Sequence, residues 1–249
     1  FTTYQSRVRF RNGVVGVVAS RIPPEKLSAG GYKRYTDCYI DIGLHSKEEV
    51  LKYVDVGDVA CYEGPYTELA PGYITAKAID DRVGCYMLLA AMMNVKKPKN
   101  DIYLAFTVQE EVGLRGAKPA AWAVDPDYAV VVDVTDVDDT PGSEKCGTVR
   151  LGKGPAIKIM DSSVICHPDM IQKLEQQAKN LDLASQRDIM RAGGTDAGVM
   201  HTTRIGVRTG GVSVPCRYIH TPVEMADLKD AQDCVKLLTA FVQSKLESL

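Results

Sequence analysis

The sequence predicts an α/β protein in which a small β-rich domain, residues 1–73, precedes a larger α/β domain, residues 74–249. Short β-type runs separated by glycine and proline dominate the first region. From about Ala76 onward, helix-length and strand-length segments alternate as they do in βαβ units. With 249 residues, 45% of them hydrophobic, the chain can bury a full core in one large domain or two smaller ones.

The β-rich region contains three strand candidates and one short helix. The strand candidates are Arg7–Phe10, Val14–Ala19 and Tyr39–Ile42. A helix is predicted over Ser46–Val54, because Ser46 can cap its N terminus and Glu49 completes a capping box three residues later.

The second region yields three helices and three strands from periodicity and length. The predicted helices are Arg82–Asn94, Asp169–Asn180 and about Asp230–Leu246, and the predicted strands are Ile102–Val108, Tyr128–Asp133 and Pro155–Met160. Arg82–Asn94 is apolar enough to be buried, whereas Asp169–Asn180 is amphipathic, with Ile171, Leu174 and Ala178 on one stripe. The run Ile102–Val108 lacks polar alternation and is therefore predicted to be a strand buried on both faces.

Charge and composition exclude several classes of partner. The formal net charge is −2, and the one local basic cluster, Lys96–Lys99, fits a solvated loop, so neither nucleic acid nor an anionic membrane is indicated. The longest apolar stretch, Val83–Met93, is far shorter than the roughly 18 residues of a membrane span. Seven cysteines without CxxC spacing fit thiols in a reducing compartment. These features predict a cytoplasmic protein.

The acidic pair Glu110–Glu111 is the most informative feature of the chain. It follows the predicted strand Ile102–Val108 and precedes a glycine-punctuated turn, Val112–Gly116. Open α/β folds place their chemistry at such strand ends. Taken alone, the pair is explained more simply as acids beside a turn or a helix dipole.

Four further polar features lie at the ends of apolar segments: Asp80–Asp81, Asp133, the glycine-rich turn Ala192–Gly198, and His220. Each has a structural explanation. The first pair could cap a helix, Asp133 could belong to a turn, a lone histidine is more often structural than a ligand, and the glycines could simply turn the chain. The turn does not match the phosphate-binding GxxxxGK[ST] pattern.

Considered together, these acids and the histidine predict a metal centre. Carboxylates that converge on one sheet edge cannot all be buried unpaired, because each isolated charge would cost several kcal/mol. A divalent cation removes that cost, and carboxylate oxygen with imidazole nitrogen suits Zn, Co or Mn. Two such ions about 3.5–4 Å apart, bridged by a carboxylate, form a hydrolytic site. One glutamate of the pair would then bind metal while its neighbour accepts a proton from water.

The chain resembles a known family through five successive motifs and the stretch Leu151–Asp161. The motifs are Lys77–Gly84, Phe106–Gly116, Val132–Thr135, Gly193–Gly198 and Pro215–His220. In this order they resemble the dinuclear metallo-aminopeptidases that form tetrahedral particles, a family of glutamyl aminopeptidase-like proteins of which some have been labelled cellulases. The resemblance implies a three-layer α/β/α catalytic domain with a mixed central sheet. It also implies that residues 1–73 are a dimerisation domain, inserted in the catalytic domain, which helps to build a homo-oligomer of twelve subunits.

The resemblance also implies roles for individual residues. Asp80 would bridge the two metals, and Asp81, joined to it by a cis peptide bond, would aim that bridge. Glu111 and His220 would complete the protein ligands of one metal, Asp133 would bind the other, and Glu110 would be the general base. The substrate side would be lined by Gly193, Gly194, Thr195 and Asp196.

The chain departs from the family pattern at its N terminus. The family's other metal-binding histidine lies in a catalytic segment before the β-rich insertion, whereas this chain starts inside the insertion at Phe1–Tyr4. His45 lies in the β-rich region and is expected at the surface. We therefore expect a fragment or a processed chain, with one complete site formed by Asp80, Glu111 and His220 and a weaker site at Asp133. Such a chain would bind one metal better than two.

The leading functional hypothesis is a metal-dependent aminopeptidase that hydrolyses N-terminal residues from peptides. One alternative is a catalytically impaired assembly or binding subunit of the same fold. Another is a metal-independent glycosidase, which would use two carboxylates roughly 5–9.5 Å apart and would survive chelation of metals. The preferred N-terminal residue is left open by the sequence.

Overall fold

A computed structural model describes residues 5–22, 35–137, 139–141 and 148–246. The chain divides into two compact units. The first comprises Phe1–Thr67, Thr75–Ala78 and His220–Glu224, and the second comprises Glu68–Ile74, Ile79–Ile219 and Met225–Leu249. The chain therefore passes between the units several times, whereas the sequence predicts a single boundary after residue 73. The segment Phe1–Tyr4 lies outside the described residues.

The first unit contains a four-stranded antiparallel sheet and a short helix. Its strands are β1 (Arg7–Phe10), β2 (Val15–Ser20), β3 (Cys38–Asp41) and β4 (Ala60–Tyr62), in the order β3-β2-β1-β4. Alternate residues of β1 and β2 are buried, as expected for a sheet with one solvated face. The three predicted strands are confirmed within one residue at each end.

The helix α1 (Lys47–Val50) is shorter than the predicted Ser46–Val54. Its cap is as expected, because the Glu49 backbone N–H donates to the Ser46 hydroxyl at 3.3 Å. The Glu49 carboxylate accepts from the Ser46 hydroxyl and from the backbone N–H of His45, which is exposed as predicted. Beyond Leu51 the chain continues as turns, so the helix has little more than one turn.

The remaining elements form a mixed sheet and its covering helices. The strands are β5 (Thr67–Glu68), β6 (Tyr73–Ala76), β7 (Tyr128–Asp136), β8 (Ala156–Met160), β9 (Gln186–Ile189), β10 (Arg208–Arg217) and β11 (Glu224–Asp227). The helices are α2 (Ile79–Asn94), α3 (Ala117–Val124), α4 (Pro168–Asn180), α5 (Ala197–Met200) and α6 (Leu228–Gln243). No helix of the described residues is long and apolar enough to span a membrane.

Strand β10 is the centre of the larger sheet. It pairs with β7 in parallel along one edge, while β8 and β11 pair with its other edge in the antiparallel sense. The path of the sheet is β5-β6-β11-β10-β8-β9, with β8 and β9 parallel. The side chains of β10 are buried from Thr209 to Cys216, as expected for a strand covered on both faces. The predicted α/β class with a mixed sheet is confirmed.

The helices cover this sheet through apolar contacts. Helix α2 packs on β7 and α6, α6 also packs on β10 and α4, and α5 packs on β7, β10 and α3. Along α4 the buried stripe is Met170, Leu174 and Ala178, with Ile171 only partly buried. The predicted stripe was thus wrong by one residue at its first position, because Met170 carries the i, i+4, i+8 spacing.

Helix α2 is less buried than its composition suggested. Met87 and Ala91 are buried, but Tyr86, Leu89 and Met93 are 49%, 54% and 87% exposed. Apolar content alone therefore gave the wrong prediction for one face of the helix. The buried residues lie four positions apart, on the side that faces β7 and α6.

The predicted buried strand Ile102–Val108 is wrong. The segment has no regular secondary structure, and Tyr103 and Val108 are 69% and 67% exposed. A strand requires a neighbour that accepts and donates its ladder hydrogen bonds, and no described strand pairs with this segment. The apolar run has the composition of a strand, but strand formation also requires a neighbouring strand, which the local sequence does not reveal.

A buried ion pair joins β8 to β9. The Lys158 ammonium lies 2.7 Å from the Asp188 carboxylate, and the two side chains are 1% and 3% exposed. Strand pairing sets this contact, because Lys158 stands directly opposite Asp188 in the parallel ladder. Both charged groups are desolvated, so the charge on each is stabilised in the folded state mainly by its partner.

Replacing Lys158 with methionine should lower the free energy of unfolding by about 3–5 kcal/mol, because it leaves the Asp188 carboxylate buried without its counter-ion. Urea denaturation measures the change. The double variant Lys158→Met/Asp188→Leu should recover much of the loss, and Lys153→Met, at an exposed lysine, should change stability by less than about 0.5 kcal/mol. Equal stability of Lys158→Met and the unaltered protein would contradict this assignment.

Candidate metal centre

Two adjacent aspartates, Asp80 and Asp81, form the entrance to α2. Both have non-helical backbone angles, and the peptide bond between them is cis, as the family resemblance implied. The Asp81 Oδ1 atom accepts a hydrogen bond from the backbone N–H of Gly84 at 2.9 Å. Asp81 therefore caps the regular part of the helix, which begins at Arg82 as predicted. A Cβ at position 84 would lie 2.1 Å from Asp81 Oδ2, so any side chain there would displace the Asp81 carboxylate.

Two groups of three side chains could each hold a metal ion. The first group is Asp80, Glu111 and His220, and the second is Asp80, Asp81 and Asp133. Within each group the candidate ligand atoms all lie within 4.8 Å of one another. Asp80 belongs to both groups, which is the arrangement that a bridging carboxylate requires. Sequence reasoning named all five residues, although it did not include Asp81 among the metal ligands.

A tight turn presents Glu110 and Glu111. The backbone N–H groups of Gly113 and Leu114 donate to the Glu110 carbonyl, and the Gly116 N–H donates to the Val108 carbonyl at 2.9 Å. Position 116 requires glycine, because a Cβ there would lie 2.5 Å from the Val108 backbone nitrogen. The glycines that punctuate this motif in the sequence thus shape the loop that carries both acids.

The backbone is left-handed at several non-glycine residues at or near the site, among them Ala78, Gln109 and His220. Their φ angles are 55° at Ala78, 59° at Gln109 and 63° at His220. Such angles are uncommon for residues with a side chain and concentrate at functional sites. These angles could not be predicted from the sequence, since neither alanine nor glutamine favours this conformation and no local pattern indicates it.

The carboxylates of the site repel one another. Burial and the nearby Asp133 charge raise the pKa of Asp81 to about 9, with smaller contributions from Asp80 and Glu110, while the Gly84 N–H opposes the shift. Burial and the Asp80 and Glu110 charges likewise raise the pKa of Asp133 well above its usual range, although the Lys158 ammonium opposes that rise. The donors are carboxylate oxygens and one imidazole, so the set fits a divalent cation that would offset this repulsion.

In the glycine-rich turn, only two of the four residues predicted to line the substrate side are exposed. Gly193 and Gly194 are exposed, whereas Thr195 and Asp196 are 2% and 7% exposed. The Thr195 hydroxyl donates to Asp161 at 3.1 Å, and Asp196 accepts from the Thr107 hydroxyl at 2.5 Å. Of the four residues assigned to the substrate side, the two glycines can therefore present backbone to a ligand. Sequence reasoning missed Asp161 and Thr107, because their partners are 34 and 89 residues distant along the chain.

Comparison with known proteins identifies the family. The family model of M42 glutamyl aminopeptidase matches residues 3–237. A protein of Acetivibrio thermocellus is 48% identical over 236 residues, which cover 95% of this chain and 70% of that protein. The lysyl aminopeptidase of Pyrococcus furiosus is 32% identical, over 97% of this chain and 71% of its own length.

Solved structures agree with this result. An aminopeptidase from the archaeon Desulfurococcus kamchatkensis has a TM-score of 0.91 and 39% identity, over 98% of this chain and 70% of its own. The TET1 peptidase of Pyrococcus horikoshii, which can assemble into a tetrahedron or a large octahedral shell, has a TM-score of 0.82 and 32% identity, over 98% and 73%. A Thermotoga maritima structure described as an endoglucanase has a TM-score of 0.74 and 31% identity, over 97% and 68%. The family match and the aminopeptidase relatives do not favour the glycosidase alternative.

The raised pKa of Asp81 predicts how stability depends on pH without metal. Between the unfolded value near 4 and the folded value of about 9, the folded state binds the extra proton, so the free energy of unfolding should fall as pH rises through this window. Asp81→Asn should remove part of the fall, up to about 1.4 kcal/mol per pH unit. The variant should therefore be the more stable protein at pH 8 in the presence of EDTA.

Urea denaturation of the EDTA-treated protein at pH 5, 7 and 8 measures this effect. Asp101→Asn, at an exposed aspartate, is the matched control and should leave the pH profile unchanged. A profile for Asp81→Asn that runs parallel to that of the unaltered protein would show that Asp81 does not titrate in this range.

Proposed function

Because this chain is a metal-dependent aminopeptidase of the M42 glutamyl aminopeptidase family, we propose that it removes N-terminal residues from peptides with Glu110 as the general base. The observation that carries the proposal is that Asp80 belongs to both three-residue groups. A carboxylate in that position can bridge two cations, and the acid beside the ligand Glu111 then remains available for proton transfer.

The metal ligands are proposed as follows. Asp80, Glu111 and His220 would hold the first divalent cation, and Asp133 would hold a second one with Asp80. Zinc or cobalt suits the first group best, since it combines an imidazole with carboxylates, and manganese is a weaker candidate. Bound cations supply Lewis acidity that polarises a peptide carbonyl and acidifies water.

The protein's own groups then perform proton transfer and orientation. The Glu110 carboxylate accepts a proton from the attacking water and returns it to the nitrogen of the leaving amine. Asp81 holds Asp80 in position through the shared peptide bond and through the hydrogen bond to Gly84 that caps α2. The exposed backbone of Gly193 and Gly194 lines the substrate side, where a bound peptide can approach closely because no Cβ intervenes.

We also propose a cytoplasmic homo-oligomer. The related TET1 peptidase of Pyrococcus horikoshii can assemble into a tetrahedron or a large octahedral shell, and another TET1 structure is described as a dodecamer. Residues 1–73 would form the dimer contact from which twelve subunits assemble. Their four-stranded sheet supports this role, since Tyr39 and Ile40 on its edge strand β3 are 43% and 40% exposed.

Replacing Glu110 with glutamine should lower kcat by about 10²- to 10⁴-fold, because the amide cannot accept the proton from water. The KM should change little, since the amide keeps the shape of the side chain. Steady-state assays with a panel of aminoacyl p-nitroanilides measure both constants in the metal-loaded enzyme, and Glu48→Gln, at an exposed glutamate, is the control.

Full activity of Glu110→Gln would defeat the assignment of the general base. Absence of peptidase activity in the unaltered, metal-loaded protein would instead favour the catalytically impaired assembly subunit.

Metal binding should occur in two unequal steps. The group that contains His220 should bind the first zinc equivalent tightly, and the group of carboxylates should bind a second one more weakly, because it contains no imidazole and its acids must first lose protons. His220→Ala should abolish the tight step, whereas Asp133→Asn should weaken only the second step. Competition with a chelating dye measures both affinities, His45→Ala is the control, and two equal tight equivalents would contradict this proposal.

A further inference from the structure

The segment that leads into Glu110 has little support from its own backbone. Among the described residues, none from Ile102 to Phe106 makes a backbone hydrogen bond, and the first such bond is that of Val108 with Gly116 inside the turn. Side chains on this segment are largely exposed, including Tyr103 and Phe106 at 69% and 49%. Among the described residues, side-chain contacts must therefore contribute to holding the turn in place.

Within the part of the chain that the structure describes, one side-chain hydrogen bond connects this segment to the rest of the larger unit. The Thr107 hydroxyl donates to Asp196 Oδ2 at 2.5 Å. Asp196 stands at the N-cap position of α5, yet its side chain makes no capping bond to that helix. Its carboxylate is directed to Thr107 instead, three residues before Glu110.

The loop that carries Asp196 is anchored independently of the Glu110 segment. The Asp161 carboxylate accepts from the backbone N–H groups of Ser163 and Val164 through one oxygen and from the Thr195 hydroxyl through the other. The Gly193 carbonyl accepts from the Ser162 N–H at 3.1 Å. The Asp196 carbonyl in turn accepts from the backbone N–H groups of Val199 and Met200 in α5. The loop around Asp196 is therefore held in place by hydrogen bonds that do not involve the segment leading into Glu110.

The carboxylate of Asp196 is not placed to contact substrate. The side chain is buried at 7% exposure, Oδ2 is occupied by Thr107, and Oδ1 is buried with no hydrogen-bond partner among the described residues. A substrate contact would require an oxygen that reaches the surface. This geometry differs from the substrate-lining role that the family resemblance suggested for residue 196.

We propose that Asp196 is a positioning residue which acts through Thr107 to hold the Glu110–Glu111 turn in its catalytic geometry. The inference rests on the proposed function, in which Glu110 transfers a proton and Glu111 binds metal. Proton transfer depends steeply on placement, and a misplacement of about 1 Å can cost 10²-fold in rate. Loss of the bond should therefore lower kcat while the binding of substrate is preserved.

The variant Thr107→Val tests this proposal, because valine keeps the shape of threonine and removes its hydroxyl. It should lower kcat by about 10- to 100-fold, leave KM within twofold, and increase amide hydrogen exchange over residues 113–116, whose N–H groups donate to carbonyls of the turn. Asp196→Asn should retain most of the activity, since an amide oxygen can still accept from Thr107. Asp196→Ala should match Thr107→Val, and the Thr107→Val/Asp196→Ala double variant should be no worse than either single variant.

Thr202→Val is the matched control, since it removes an exposed hydroxyl that bonds to the Val199 carbonyl at the far end of α5. It should leave kcat, KM and the exchange of residues 113–116 unchanged. All assays use the metal-loaded protein with aminoacyl p-nitroanilides, and exchange is measured in the same samples by mass spectrometry.

Three outcomes would overturn the proposal: a Thr107→Val enzyme with unchanged kcat, a loss confined to KM, or fully additive effects of the two substitutions. A loss of kcat without faster exchange over residues 113–116 would also contradict it. Failure of the proposed function would look different, because the unaltered protein would then lack peptidase activity while Thr107→Val still increased hydrogen exchange.

Discussion

Repulsion among carboxylates is the constraint around which this protein is organised. Burial and neighbouring carboxylates raise the pKa values of Asp81 and Asp133. The neighbouring charges include those of Asp80 and Glu110. A fold that only needed stability would separate these groups or replace them with apolar side chains. Here the sheet, the entrance of α2 and the glycine-shaped turn all hold the acids together. The cost in stability is consistent with a centre that is complete only when cations occupy it.

Much of the site could be predicted from the sequence, because its residues lie at the ends of recognisable segments. Asp133 follows three valines of β7, and Asp80 precedes an apolar helix. The separate roles proposed for Glu110 and Glu111 rest on their chemistry and on the order of the motifs. The capping interpretation and the metal-site interpretation of Asp80–Asp81 turned out to be compatible: Asp81 caps the helix while Asp80 joins both groups of ligands.

Other features depended on distant partners and could not be predicted. The run Ile102–Val108 has the composition of a strand, but no described strand pairs with it. Apolar content likewise did not show which face of α2 would be exposed. The bond between Thr107 and Asp196 and the left-handed backbone at Ala78 and Gln109 exist only in the assembled fold. Local patterns specify segments, whereas pairing and tertiary hydrogen bonds determine how the segments are used.

The pairing of β10 with β7 affects the order in which the fold and the candidate metal sites form. The parallel ladder between them begins by joining Arg208 to Tyr128, so this central contact closes a loop of 80 residues. Closing loops of that length is entropically unfavourable, and folds dominated by such contacts form slowly. Asp133 lies on β7, and His220 lies three residues beyond the end of β10. Both reach their final positions only after this pairing, so the proposed cation sites should form late in folding.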